Sequence, residues 1–235
     1  NYDDDYLHLI LWDEEDLEIV GAYRFASAKA LHESVGKDSL YSQSLFDYKP
    51  AFQPYFDQGL ELGRSFVQPK YWGRRSLEYL WQGIGAFLVK NPQYRYLFGP
   101  VSLSDSLPLQ AKDMLVFFYQ QHFASDETLA HSFHSYQFTP DRIHQLQQLF
   151  NGNDYPENFK ILKRTLANMA VSVPTLFKQY GELCDNQGVK FLDFGIDPEF
   201  GDCIDGLVLV DIHQLKPIKY QKYLAGHLLP AQAAS

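Results

Sequence analysis

Gly59-Leu60-Glu61-Leu62-Gly63-Arg64-Ser65-Phe66-Val67-Gln68, followed by Pro69-Lys70-Tyr71-Trp72-Gly73-Arg74-Arg75-Ser76, has the pattern of a strand, a short loop and the start of a helix. Residues 59–68 are aliphatic, aromatic and β-branched, yet they carry two opposite charges, Glu61 and Arg64. In a regular strand side chains alternate between faces, so two charges three positions apart point in opposite directions. A bulge at Gly63, where an extra residue costs least, flips that parity and brings both charges to one face. It also bends the strand away from its neighbour and opens a slot between two parallel strands. From Ser76 onward Leu77, Leu80, Trp81, Ile84 and Leu88 recur at helical spacing, with Ser76 as the expected N-cap. Residues 71–75 therefore deliver backbone N–H groups and the guanidinium groups of Arg74 and Arg75 to a helix N-terminus, where phosphate is readily held.

Outward from this stretch the chain is organised as strands and helices in alternation. Residues 6–12 and 17–25 are expected to be paired strands around the acidic turn 13–16, with Arg24 closing the second. A short helix is expected at 27–34, and residues up to 56 carry no long period. After the central helix, 94–103 has the length of a buried strand with a break at Gly99-Pro100, and strand, crossover helix, strand implies parallel pairing. A helix at 109–122 turns Met114, Leu115, Phe118 and Phe123 inward, and 124–140 is a polar connection. Helical patterns at 140–150, 155–170 and 174–186 precede strands at 189–196 and 205–212. The expected fold class is α/β (α+β), a mixed sheet flanked by helices, with extra helices at 140–186. Residues 1–215 form one domain, 216–235 a basic and apolar tail, and the absence of an initial Met suggests a missing upstream portion.

The 235 residues, 46% hydrophobic and 16% aromatic, suffice for a large core. A net charge of −9 argues against nucleic-acid binding, yet residues 64–95 hold Arg64, Lys70, Arg74, Arg75, Lys90 and Arg95 against the single acid Glu78. An anionic partner is thus local to the central loop and helix. Cys184 and Cys203 are too few for a disulfide scaffold, which favours a reducing compartment. No run spans a bilayer and no signal sequence opens the chain, so a cytoplasmic protein, peripheral to the inner membrane at most, is expected. His131-x-x-His134 lacks a third ligand nearby, and no metal is expected. The alternating segment 216–224 either touches anionic lipid or docks on its own domain.

The string Glu61-Leu62-Gly63-Arg64-Ser65-Phe66-Val67 resembles, together with Tyr94-Arg95-Tyr96-Leu97-Phe98-Gly99-Pro100-Val101-Ser102 and Val20-Gly21-Ala22-Tyr23-Arg24, the hemolysin-like and ornithine-lipid-type N-acyltransferase family of the GNAT superfamily. Glu61-x-x-Arg64 with upstream Arg24 is also similar to the acyl-homoserine-lactone synthases. The resemblance runs in order over nearly the whole chain. It implies a GNAT-like twisted sheet and transfer of a long acyl chain from acyl carrier protein, or from acyl-CoA, to a primary amine such as that of an amino acid. Neither cofactor nor metal is bound permanently; the donor's phosphopantetheine is part of a substrate.

On their own Glu61 and Arg64 read as a salt bridge at a strand bend; an amine must be neutral to attack a thioester, so the resemblance makes Glu61 the candidate for its proton. Arg64 and Arg24 become candidates for an acceptor carboxylate or carbonyl, and Asp3 stands either where the lactone synthases carry an acidic residue or in a solvated N-terminal segment. Tyr119 lies where many GNAT enzymes have a tyrosine that protonates the leaving thiolate, although a core tyrosine explains it equally. Phe66 and Val67 would polarise the thioester through backbone N–H groups. Gly73, Arg74, Arg75 and Ser76 would hold the donor phosphate. The usual glycine pattern is reduced to Gly73, with Arg75 and Leu77 in later glycine places, which favours the single phosphate of a carrier protein over coenzyme A. Leu97, Phe98, Val101, Met114 and Phe118 are the expected lining of an acyl channel. The rivals are an acyl-homoserine-lactone-synthase-like enzyme and a non-catalytic lipid-binding or cytolytic protein, for which the sequence offers no amphipathic pore segment.

Overall fold

The computed structural model describes residues 2–185 and 187–227. β1 (Leu7–Asp13) and β2 (Glu18–Ser27) form a hairpin, followed by α1 (Ala28–Ser34), β3 (Phe46–Tyr48) and α2 (Gln53–Asp57). The central unit is β4 (Gly59–Val67), α3 (Ser76–Lys90) and β5 (Tyr96–Leu103). Then come α4 (Leu109–Phe123), β6 (Ala130–Ser132), α5 (Pro140–Leu149), α6 (Tyr155–Ala167) and α7 (Thr175–Gly181). The hairpin β7 (Val189–Asp197) and β8 (Cys203–Asp211) precedes α8 (Pro217–Tyr223). The main sheet has the order β1-β2-β4-β5-β8-β7, and β3 pairs with β6 in a small second sheet.

Only β4 and β5 run parallel in the main sheet, and their pairing covers Gly59–Tyr96, Leu60–Leu97 and Glu61–Phe98 before the strands part. The expected bulge forms, one residue beyond the expected position. Gly63 still pairs with Arg24, and the extra residue falls opposite Tyr23, with Arg64 in left-handed backbone at φ 48°. A Cβ at Gly63 would meet nothing, so that glycine is under no steric demand. The demand falls on Gly99 instead. At φ +148° its Cβ would sit 2.0 Å from the Leu62 carbonyl oxygen, and only glycine allows β5 to turn away there.

Alternation sorts the strand residues into two cores. Tyr23, Phe25, Leu60, Leu62, Val101, Val208 and Val210 join the cluster under α3 and α4. Tyr6, Ala26, Phe98 and Leu209 join a second cluster on the opposite face with Phe52 and Phe56. α4 is buried nearly all round, because the sheet covers one side and α5 and α6 the other, where Phe118 meets Phe150, Tyr155 and Phe159. The extra helices thus exist to bury a second face of α4.

Several expectations change. Ser76 begins α3 but does not cap it; Arg75 holds the cap position without a side-chain bond, and the Ser76 hydroxyl points back to the Tyr71 carbonyl at 3.5 Å. The connection at 124–140 contains β6, whose three residues are too short to show a period. Residues 217–224 dock on the domain: Tyr223 and Leu224 are buried, and a Cβ on Gly85 of α3 would lie 1.9 Å from the Tyr223 carbonyl oxygen. Residues 228–235 of the expected tail lie outside the described residues. Among the described residues no helix is long and apolar enough to cross a membrane.

Candidate active site

Where β4 and β5 part, the face opposite α3 and α4 carries buried polar groups. Glu61 is 1% exposed. It accepts the Tyr6 hydroxyl and the Tyr41 backbone N–H (3.1 Å) on Oε2, and the Ser42 N–H (2.7 Å) on Oε1. Burial pushes its carboxyl pKa up against these hydrogen bonds. Glu61 forms no ion pair with Arg64 or Arg24 among the described residues. Its carboxylate instead pins the turn Tyr41–Ser44 to the central strand.

Arg24, 2% exposed, pairs through Nη1 with Asp3 at 2.6 Å, and that bond holds the Asp3 carboxyl below its ordinary range. The guanidinium carbon lies 4.5 Å from the Tyr6 ring centroid, 5.5 Å from Tyr41 and 5.9 Å from Tyr2. Its Nε and Nη2 are buried without a hydrogen-bond partner among the described residues. Arg64 is exposed, and its charge reaches both Asp3 and Tyr41, so the bulge has brought it to the face of Glu61 and Arg24.

Further along the same face, Asp197 accepts the Tyr41 hydroxyl at 3.1 Å, and Asp205 accepts the Ser102 hydroxyl at 2.5 Å. Tyr6, Tyr41, Ser42, Ser102, Asp197 and Asp205 escape sequence reasoning, because the contacts depend on residues as much as 156 positions apart. One signal was available: Asp205 interrupts an apolar run that β8 buries on both faces.

A cavity of about 570 Å³ opens between the end of β4, the loop after it and the start of α7, where the sequence led us to expect the donor. Phe66, Val67, Gly73, Arg74 and Ser76 line it, with Trp72, whose indole N–H donates to the Val67 carbonyl at 2.8 Å. Arg74 stands over the Tyr71 ring. Arg75 does not line this cavity and is tied to Glu78, which also binds Lys222 at 2.8 Å.

The expected acyl channel is corrected in two ways. Leu97 and Phe98 are adjacent on β5 and face opposite sides, so they cannot line one channel; Phe98 packs with Phe52 and Phe56. Val101, Met114 and Phe118 are enclosed core residues, at most 4% exposed. The apolar cavity beside the parting strands lies between Leu62, Leu97, Trp81, Ile84 and Tyr223, and holds only about 40 Å³. Tyr119 is likewise enclosed, among Phe123, Phe177 and Phe191, on the α4 side of the sheet away from Glu61. Its hydroxyl has no partner among the described residues, and burial pushes its pKa far up, which suits a core residue.

Residues 1–82 match the family described as acetyltransferase (GNAT) domain. The chain is 29% identical to a protein named glycine N(alpha)-acyltransferase from Bacteroides thetaiotaomicron, over 94% of this chain and 69% of that protein. It is 30% identical to an L-ornithine N(alpha)-acyltransferase from Brucella abortus, over 51% of this chain and 43% of that one. The solved structure of a CoA-dependent acyl-homoserine lactone synthase matches over 99% of this chain and 74% of its own, at 11% identity and a TM-score of 0.37. Residues 1–82 thus carry the match to a GNAT acetyltransferase domain, and the chain is an N-acyltransferase.

Proposed function

We propose that this protein transfers a long acyl group from a phosphopantetheine thioester to the primary amine of a small amino acid, as the names of its glycine and ornithine relatives suggest. The observation that carries this reading is Arg24, a guanidinium 2% exposed among tyrosine rings, with two N–H-bearing nitrogens left unpaired. Buried donors without partners are costly, and a carboxylate is the group that a guanidinium fork accepts best. Arg64, at the mouth, adds a second cation on the same side. The acceptor's carboxylate would therefore sit at Arg24, with its amine directed toward the gap between β4 and β5.

The thioester would enter from the donor cavity along β4, its carbonyl polarised by backbone N–H at Phe66 or Val67. With Arg75 engaged by Glu78, Arg74 is the cation left to receive a phosphate. One exposed arginine and one loop glycine suit the single phosphate of acyl carrier protein better than the pyrophosphate of coenzyme A. Arg74→Glu should accordingly raise the Michaelis constant for acyl carrier protein, with the loss shrinking as salt rises. The acyl chain would occupy the apolar space under α3 and α8, which at about 40 Å³ is close to the volume of one water and has to widen for a long chain.

Mass spectrometry of reactions with glycine or ornithine, and acyl carrier protein or CoA carrying long chains, tests the reading. An N-acyl amino acid is the expected product. Thioester consumption without any N-acyl amino acid would overturn it.

A further inference from the structure

We propose that the acceptor's amino group is received at Asp205, beside Ser102 and the Tyr41–Asp197 pair, and that Asp205 takes the proton the amine must lose. The inference rests on the amino-acid acceptor argued above and extends it to the other end of that molecule.

Asp205 sits on β8 directly opposite Ser102 of β5 and Gly195 of β7. Its side chain falls on the same face as Leu207 and Leu209, hence on the face of Glu61 and Arg24. It is 3% exposed and Asp197 1%. Among the described residues neither has an ion-pair partner. Asp197 is satisfied by other means: Oδ1 accepts the backbone N–H groups of Glu199 (2.9 Å) and Phe200 (3.2 Å), and Oδ2 accepts the Tyr41 hydroxyl. Asp205 has the Ser102 hydroxyl at Oδ1. Buried carboxylates without a cation are expensive to keep, which points to a cationic group supplied from outside.

The nature of that group follows from what stands opposite. Tyr41 reaches from the arginine to the acids: its ring centroid lies 5.5 Å from the Arg24 guanidinium carbon, and its hydroxyl lies 3.1 Å from Asp197. The unpartnered, buried donors of Arg24 and the two acids thus lie to either side of Tyr41. An α-amino acid carries its carboxylate and ammonium on a single carbon, and so presents one charge to each side. The parting of β4 and β5 lies between the arginine and the acids, where a thioester carbonyl entering from the donor cavity would meet the amine.

The step balances as follows. The ammonium gives one proton to the Asp205 carboxylate, and the neutral nitrogen attacks the thioester carbonyl carbon. As the C–N bond forms and the C–S bond breaks, the nitrogen's surplus proton leaves with sulfur as the free thiol. Asp205 then returns its proton to water. Burial pushes the Asp205 carboxyl up to about 6 against the Ser102 hydrogen bond, and the charge of Asp197 adds to the rise. Asp197 from β7 and Tyr41 from its turn are the titratable groups facing it. Near neutral pH the carboxylate is thus ionised and stronger as a base than an ordinary aspartate.

Calorimetric titration with glycine and with acetate, which lacks the amine, reads the binding claim, and the pH profile of kcat reads the proton claim. Wild-type protein should bind glycine roughly tenfold or more tighter than acetate. Asp205→Asn should erase that preference and leave acetate binding unchanged, while turnover falls roughly a hundredfold. Ser102→Ala, which removes a bond that lowers the carboxyl, should move the acid limb of the kcat profile to higher pH, a shift that a purely structural serine would not cause. An Asp205→Asn protein that keeps both the glycine preference and the acid limb would overturn the inference. Unchanged N-acylglycine formation in that variant would leave the acyltransferase reading standing and remove Asp205 from it. Glycine discrimination lost in Asp205→Asn, with no N-acyl product from wild type, would uphold the amine site and remove the reading.

Discussion

The two faces of the sheet at the parting of β4 and β5 are built on opposite principles. Under α3 and α4 the strands present Leu60, Leu62, Val101 and Val208 to an apolar core that is closed except for a cavity of about 40 Å³. On the other face the sheet buries Arg24, Glu61 and Asp205; the two acids accept hydrogen bonds from Tyr6, Tyr41, Ser42 and Ser102, and Arg24 is paired with Asp3. Packing explains the first face completely, since close-packed apolar side chains need no further purpose. It does not explain the second, where each buried charge costs stability that an apolar residue would not. The difference teaches where to look for chemistry: the proposed function puts the acceptor on the polar face and the acyl chain on the apolar one.

Glu61 offers the largest lever on that contrast. Both carboxylate oxygens accept backbone N–H groups, so in either orientation the amide of Glu61→Gln would set its own N–H against one of them. An unsatisfied buried donor costs about 1 to 3 kcal/mol, and the Tyr41 turn would loosen with it. Stability and turnover should fall together, turnover roughly a hundredfold, in parallel denaturation and kinetic measurements. Turnover lost at full stability would make Glu61 the proton acceptor itself and displace Asp205 from that role.

The apolar face can be tested by overfilling it at two places. Val101→Phe inserts a ring into closed core and should cost about 1 to 3 kcal/mol without changing chain preference. Leu97→Phe projects into the cavity beside Leu62, and should shift preference to shorter acyl chains at a smaller cost. Equal chain-length profiles for the two variants would show that the acyl group lies elsewhere.

A smaller, pH-dependent effect belongs to Asp205. Its folded-state carboxyl is raised from 3.8 to about 6, so the stability that its protonated form confers is present below 3.8 and lost as pH rises through 6. Asp205→Asn cannot ionise, and should therefore match wild type in acid and exceed it at neutral pH, by at most about 3 kcal/mol. Thermal midpoints across that window that never diverge would mean the carboxylate is already compensated.

Much of this fold was legible in the chain. Helical spacing from Leu77 to Leu88 and the buried run before Gly99 define the central unit, and the opposite charges three apart in a strand demanded a bulge. The bulge came one residue late, with the left-handed backbone at Arg64, and Gly63, where a side chain would meet nothing, does not mark it. Strand alternation, applied consistently, would also have separated Leu97 from Phe98. The rest was out of reach for a physical reason. The Tyr41–Asp197 contact joins a turn without periodicity to a strand 156 residues away, and no local pattern encodes it. β3 and β6, three residues each, carry too little sequence to signal pairing.

The central claim is that Arg24 receives an acceptor carboxylate on the polar face. Glycine and glycinamide differ only in replacing that carboxylate with a neutral amide, so their kcat/KM ratio reads the contact directly. Wild-type protein should prefer glycine roughly a hundredfold, the worth of a buried, charge-assisted pair, and Arg24→Met should bring the two acceptors close to parity, chiefly through KM. An Arg24→Met protein that still prefers glycine as strongly as wild type would contradict the account.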